Sequence, residues 1–297
     1  MATKLEVPER RAVDVDGPVR YREWNGPDGL TFVLVHGLGG SHLSWTSVAP
    51  ELARHGRVLV PDLPGFGHTP RAGRRSTLHA HRRVLSGFIR ATSPGRTVLI
   101  GNSMGGVLAL LQAALEPGSA TALVLTGSAF PWVRGGMPAP IVIGGFALYR
   151  TPVLGRWAVR QRFRRASPDR LVRLGFRVCT ADPSSIPRDL YDAHVDLLRE
   201  RREDPDAPAA FLEAARSLLR LGARPDLCRQ IMDRVACPLL VVHGRRDRLV
   251  PVEFAEAAVR AHPSWRLRIL PGLGHVPQME APDRWLGIVE DWLGTVA

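Results

Sequence analysis

Three side chains have the types and surroundings that nucleophilic acyl chemistry requires: Ser103, Asp247 and His275. A serine hydroxyl is a weak nucleophile until a base accepts its proton, and that base needs an acid to orient it. Ser103 stands in Gly101-Asn102-Ser103-Met104-Gly105-Gly106, after a β-branched, aliphatic run and before a run of helical period. This is a G-x-S-x-G elbow in its strand-to-helix setting. So sharp a turn strains its central residue and requires small neighbours, which Gly101 and Gly105 supply. The serine then sits at the positive end of the following helix, where developing negative charge is favoured.

Most of the ten histidines read as something other than the base. His79 and His81 open a polar helical run and read as solvated. His194 lies in a proline-broken middle region, His55 and His262 near helix ends, and His243 at a strand end where packing accounts for it. His275 differs, because Pro271-Gly272-Leu273-Gly274-His275-Val276-Pro277 directly follows the last strand-like run. In an open α/β sheet, reactive groups collect in loops at the carboxyl ends of strands. Asp247, in Gly244-Arg245-Arg246-Asp247, follows the run before it. A turn or helix-capping aspartate explains Asp247 equally well on its own; the chain order Ser, Asp, His favours the catalytic role. The alternative position for an acid, Thr126-Gly127-Ser128, carries none.

The elements that must position these groups alternate. A hairpin is expected from Ala12–Asp16 and Val19–Trp24, turning through Asp16-Gly17. Buried strands are expected at Thr31–His36, Arg57–Pro61, Thr97–Gly101, Ala122–Thr126, Pro238–His243 and Arg266–Leu270. These continuous apolar runs fit strands covered on both faces. Helical period marks Ser44–Ala53, Ser76–Thr92, Ser103–Leu115, Val252–Ala261 and Pro282–Leu293. The pattern predicts an α/β fold with a mostly parallel sheet flanked by helices. Between residues 131 and 234 the alternation stops and prolines interrupt helical periods, which predicts an inserted helical cap. Residues 1–130 and 235–297 then form one core domain. Pro140 to Val159 is mostly apolar, consistent with packing onto the core and with lining a substrate pocket.

Composition narrows the chemistry. The 297 residues carry a net charge of +12, with Lys4 the only lysine among 40 basic residues. With no lysine after position 4, a phosphate-binding P-loop and a pyridoxal phosphate site are both excluded. Gly37-Leu38-Gly39-Gly40-Ser41-His42 lacks the third glycine of a dinucleotide fingerprint. No cofactor and no metal are expected. The arginines are spread along the chain, denser from Arg156 to Arg177, and fit a GC-rich coding sequence better than a nucleic-acid partner. Peripheral attraction to anionic lipid stays open. No run is apolar enough to span a membrane, Met1 to Asp14 is charged and lacks the apolar run expected of a secretory signal, and Cys179, Cys228 and Cys237 form no metal or redox pattern. The expectation is a cytoplasmic protein.

His36-Gly37-Leu38-Gly39-Gly40, Asp62-Leu63-Pro64-Gly65-Phe66-Gly67, the serine elbow, Gly244-Arg245-Arg246-Asp247 and Gly274-His275 together resemble the α/β-hydrolase superfamily, in its capped serine hydrolase branch. The resemblance implies the α/β-hydrolase fold with an eight-stranded sheet and an oxyanion hole made by the backbone N–H groups of Leu38 and Met104. Asp62 and its glycines read as structural. Trp132 and Val276 are candidate pocket residues. The leading expectation is a carboxylesterase or lipase-like serine hydrolase acting on a small or medium apolar acyl substrate. A second is carbon–carbon bond hydrolysis, since the elbow is similar to that of meta-cleavage-product hydrolases, although those place Trp where this chain has Val276. A third, of another class, is a ligand sensor that keeps the pocket without turnover.

Overall fold

The computed structural model describes residues 6–93, 95–128 and 137–296. Strand β1 (Arg11–Asp14) turns back into β2 (Pro18–Trp24), with Asp16 and Gly17 at φ 51° and 111°. Then come β3 (Leu30–Val35), β4 (Arg57–Pro61), β5 (Arg96–Asn102), β6 (Ala122–Thr126), β7 (Leu239–Gly244) and β8 (Arg266–Leu270). They form one eight-stranded sheet in the order β1-β2-β4-β3-β5-β6-β7-β8. Strand β2 is antiparallel to both its neighbours, and every pairing from β4 through β8 is parallel. The expected fold class is what the structure shows.

Successive strand residues point to opposite faces, so a strand buried on both sides must be apolar throughout. In β3, Val33 and Val35 enter one core cluster while Phe32 and Leu34 enter the other. The first cluster packs under α2 (Leu78–Thr92) and α3 (Met104–Leu115); the second packs against α1 (Ala49–Leu52) and α12 (Pro282–Val296). The expected helix over Ser44–Ala53 is divided into a 3-10 turn at His42–Ser44 and the short α1. Pro50 lacks an N–H and fits only a first turn, so it starts a new helix rather than continuing one. Helix α2 begins later than expected, because the Thr77 side chain caps it by accepting from Ala80 N at 3.2 Å.

Its buried face includes Leu78, His81, Leu85, Phe88 and Thr92, steps of three and four residues. His81 is therefore fully buried, contrary to its reading as solvated; His79 is exposed. Between β6 and β7 lie α4 (Pro140–Arg150), α5 (Pro152–Arg165), α6 (Pro168–Cys179), α7 (Arg188–Arg201), α8 (Ala207–Gly222) and α9 (Pro225–Asp233). The prolines that broke the helical period open several of these helices, in the first-turn position where they cost no hydrogen bond. Helix α10 (Val252–Ala261) separates β7 from β8, and α11 (Pro277–Glu280) follows the His275 loop. No helix among the described residues is long and apolar enough to cross a membrane.

Candidate active site

Ser103 sits between β5 and α3 with φ 55° and ψ −117°. A non-glycine residue at that φ is strained, and the surroundings must hold it there. They can do so because the chain closes on itself. A Cβ on Gly101 would lie 2.4 Å from the Gly105 carbonyl, and one on Gly105 would lie 2.1 Å from the Val35 carbonyl oxygen. Ser103 N donates to Thr126 O at 3.0 Å, while its own carbonyl accepts from Gly106 and Val107 as the first turn of α3.

His275 Nδ1 lies 2.7 Å from Asp247 Oδ2, and both side chains are buried. With the carboxylate as acceptor, Nδ1 carries the proton and Nε2 is left as the basic nitrogen. Asp247 Oδ1 accepts from Leu249 N at 2.8 Å and Val250 N at 2.9 Å. Burial alone would raise the Asp247 carboxyl. The attraction of His275 and hydrogen bonds from His243 and His275 outweigh it and hold the group well below the ordinary carboxylate range. His243 is packed, as expected, but not merely so. Its Nε2 stands 2.9 Å from Val250 O and 3.2 Å from Asp247 Oδ2, so the carboxylate lies between two imidazoles.

Three contacts that sequence reasoning missed hold the His275 loop. The Asn102 side-chain amide, beside the serine, donates to Thr126 O at 3.0 Å and His275 O at 3.1 Å. His275 N donates to Cys179 O at 2.7 Å, joining the loop to the end of α6. Glu280 accepts from Gly274 N and Ala181 N, each at 2.8 Å, and burial raises its carboxyl above the usual value despite those bonds. The only sequence signal for Asn102 was a polar residue inside a buried strand end; Glu280 gave none.

The N–H groups of Leu38 and Met104 have no acceptor among the described residues. The Leu38 loop is pinned through His36, whose Nε2 accepts from Leu63 N at 3.0 Å while Nδ1–H donates to Gly37 O at 2.8 Å. Burial lowers the His36 pKa, consistent with the neutral tautomer. Gly37 adjoins the serine: a Cβ there would lie 3.1 Å from Ser103 Cβ. Asp62 accepts from His42 N at 2.7 Å and His68 N at 2.8 Å, the loop-shaping part its sequence suggested. His42, Asp62 and His68 offer ligand atoms within 4.8 Å of one another, the one such group among the described residues. Those two backbone N–H groups already engage both Asp62 oxygens.

Ser103 and His275 face a common cavity of about 800 Å³ between the sheet edge and α4–α8. Its walls are mainly apolar, with Leu38, Phe66, Phe146, Phe163, Phe176 and Phe211 among them. Val276, the residue after His275, is part of the wall, whereas Trp132 lies outside the described residues. The polar wall groups include His194, Arg162 and Arg201. Burial pushes His194 down to about 4. Arg201, lowered by burial, donates to Gly65 O and stands 5.6 Å over the Phe66 ring. Asp247 stands behind His275, away from the cavity wall.

A model of the alpha/beta hydrolase fold matches residues 31–282. The chain is 30% identical over 291 residues to a 2-hydroxy-6-oxononadienedioate/2-hydroxy-6-oxononatrienedioate hydrolase of Cupriavidus pinatubonensis, covering 94% of this chain and 93% of that one. It is also 30% identical over 272 residues to a pimeloyl-[acyl-carrier protein] methyl ester esterase of Aeromonas hydrophila, covering 91% and 96%. Among solved structures it is similar to a thermophilic esterase from Thermogutta terrifontis, with a TM-score of 0.68, 25% identity, and 97% and 99% of the two chains covered. With the match spanning the sheet from β3 to β8, the serine elbow and the His275 loop, the chain belongs to the alpha/beta hydrolase family.

Proposed function

We propose that the protein is a serine hydrolase that cleaves an ester-like bond of an apolar acyl substrate through an acyl-enzyme. The observation that carries this reading is the buried His275–Asp247 pair at 2.7 Å, with His275 opening onto the cavity that also holds the strained Ser103. His275 Nε2 takes the Ser103 proton as the oxygen attacks the carbonyl, and Asp247 stabilises the imidazolium. The N–H groups of Leu38 and Met104 receive the negative oxygen; one such donor is typically worth about 10²–10³ in rate. The imidazolium returns its proton to the leaving alcohol, and water activated by His275 then releases the acid. Helices α4–α8 act as a cap whose aromatic side chains take up the acyl part. Ser103→Ala is expected to abolish both turnover of p-nitrophenyl butyrate and labelling by a fluorophosphonate. Undiminished activity in that variant would remove the nucleophile from this scheme.

A second reading, carbon–carbon bond hydrolysis, is favoured by Arg162 and Arg201 in the cavity wall. These cations suit a substrate with carboxylates, such as the dioates named for the Cupriavidus relative. Bleaching of a coloured dienol acid, faster than hydrolysis of a panel of esters graded by acyl length, would select it. Saturable binding of such compounds with no turnover of any would instead indicate a sensor.

A further inference from the structure

The outward side of the helical insertion departs from an ordinary soluble surface in two respects. Val153, Leu154 and Trp157 on α5 are 81%, 53% and 57% exposed, and Met137 and Ile141 at the start of α4 are 79% and 63% exposed. Scattered exposed apolar residues need no explanation, but three within five positions of one helix do. The second respect is charge. No Asp or Glu occurs between Glu116 and Asp169, whereas Arg150, Arg156, Arg160, Arg164 and Arg165 all lie there and are exposed. Arg156, Arg160 and Arg164 make no ion pair among the described residues.

The periodicity places both properties on one face. Val153, Arg156, Trp157, Arg160 and Arg164 follow steps of three and four residues and share the outer side of α5, opposite the buried Gly155 and Val159. The first half of that face is apolar and the second is basic. A tryptophan beside arginines, with no carboxylate nearby in sequence, is suited to the boundary between acyl chains and anionic headgroups. A second copy of this chain is a poor occupant. A two-fold contact would set the face against itself, with no carboxylate from α4 or α5 to pair its arginines. The face also borders the cavity: Ile141 and Arg162 are both exposed and part of its wall.

We propose that the outer faces of α5 and the start of α4 dock the protein on an anionic lipid surface. Trp157, Val153 and Leu154 enter the interface and Arg156, Arg160 and Arg164 lie against lipid phosphate. The cavity mouth then faces the bilayer, so that an apolar molecule dissolved there reaches Ser103 without crossing water. The docking itself does not depend on which bond the site cleaves.

Flotation of the full chain with phosphatidylglycerol-containing and pure phosphatidylcholine vesicles tests this, independently of turnover. Binding is expected only to the anionic vesicles. It should weaken steeply between 0.05 and about 1 M salt, as screening shortens to about 3 Å. Replacing Arg156, Arg160 and Arg164 together with Gln should lower partitioning by about a hundredfold, from roughly fivefold per basic residue. The pair Val153→Asp and Trp157→Asp should lower it at least tenfold. Thermal melts of both variants control for folding, since these side chains are exposed and outside the core. Equal binding to both vesicles, no binding at low salt, or variants that float like the parent would overturn the proposal. So would a dimer in sedimentation that the same substitutions dissociate.

Discussion

Asparagine at position 247 is the most informative single substitution, because the surrounding backbone dictates how its amide must point. Oδ1 of Asp247 accepts from Leu249 N and Val250 N at 2.8 and 2.9 Å. In Asp247→Asn the amide oxygen has to stay there, since turning the NH₂ group toward two N–H donors would leave buried donors unpaired at about 1–3 kcal/mol each. The NH₂ group therefore faces His275 Nδ1 at the former 2.7 Å contact. Nδ1 must become the acceptor, the proton moves to Nε2, and the imidazole can no longer take a proton from Ser103. In a serine protease triad the same change of tautomer lowers kcat by about 10⁴ with the geometry intact. A loss of that size here corresponds to about 5 kcal/mol of transition-state stabilisation. The assay is kcat/KM for a p-nitrophenyl ester from pH 5 to 9, alongside the rate of fluorophosphonate labelling, which should fall in parallel. A folded Asp247→Asn protein within tenfold of the parent would show that Asp247 does not set the tautomer of His275.

Asn102→Ala removes the amide that spans Thr126 O and His275 O; kcat should fall about tenfold with KM little changed, because the histidine loop loosens while the cavity stays intact. A change confined to KM would refute that positioning role. His81 has no hydrogen-bond partner at either ring nitrogen among the described residues, and burial, then His36 and Arg74, push it from 6.5 down to about 3. A depressed histidine means the unfolded chain binds the proton first, so stability falls as pH drops from 6.5 toward 3, by about 2 kcal/mol at pH 5. Chemical denaturation of His81→Leu at pH 8 and pH 5 should show that increment gone; an unchanged pH dependence would place it elsewhere. The lowered carboxyl of Asp247 works in the same direction at more acid pH. Its contribution is complete above the ordinary value of 3.8 and is lost below it, so the acid unfolding limb should be shallower in Asp247→Asn.

Much of this molecule is written in short stretches of sequence. Backbone sterics act over a few residues, so an elbow held at φ 55° advertises itself through Gly101 and Gly105. Strands covered on both faces are apolar at every position, and β3 to β7 were legible for that reason. Chain order was enough to pair Asp247 with His275 as candidates, because strand ends in a parallel sheet share one edge. Proline chemistry was legible too, though its effect at Pro50 was to divide a helix rather than merely permit one.

What tertiary structure decided depends on partners far apart in the chain. His81 looked solvated among polar neighbours, yet its three- and four-residue spacing from Leu78 and Leu85 put it in the core against the Phe66 ring, at 5.7 Å. The Asn102 bridge to the His275 carbonyl and the Glu280 link between Gly274 and Ala181 follow from packing that no local motif encodes. The cavity, and the choice of Arg162 and Arg201 from so many arginines, likewise exist only once α4–α8 fold back over the sheet edge. Conformation at a turn is fixed by the atoms of its neighbours, whereas burial and polar pairing are fixed by whichever distant segment fills the remaining space.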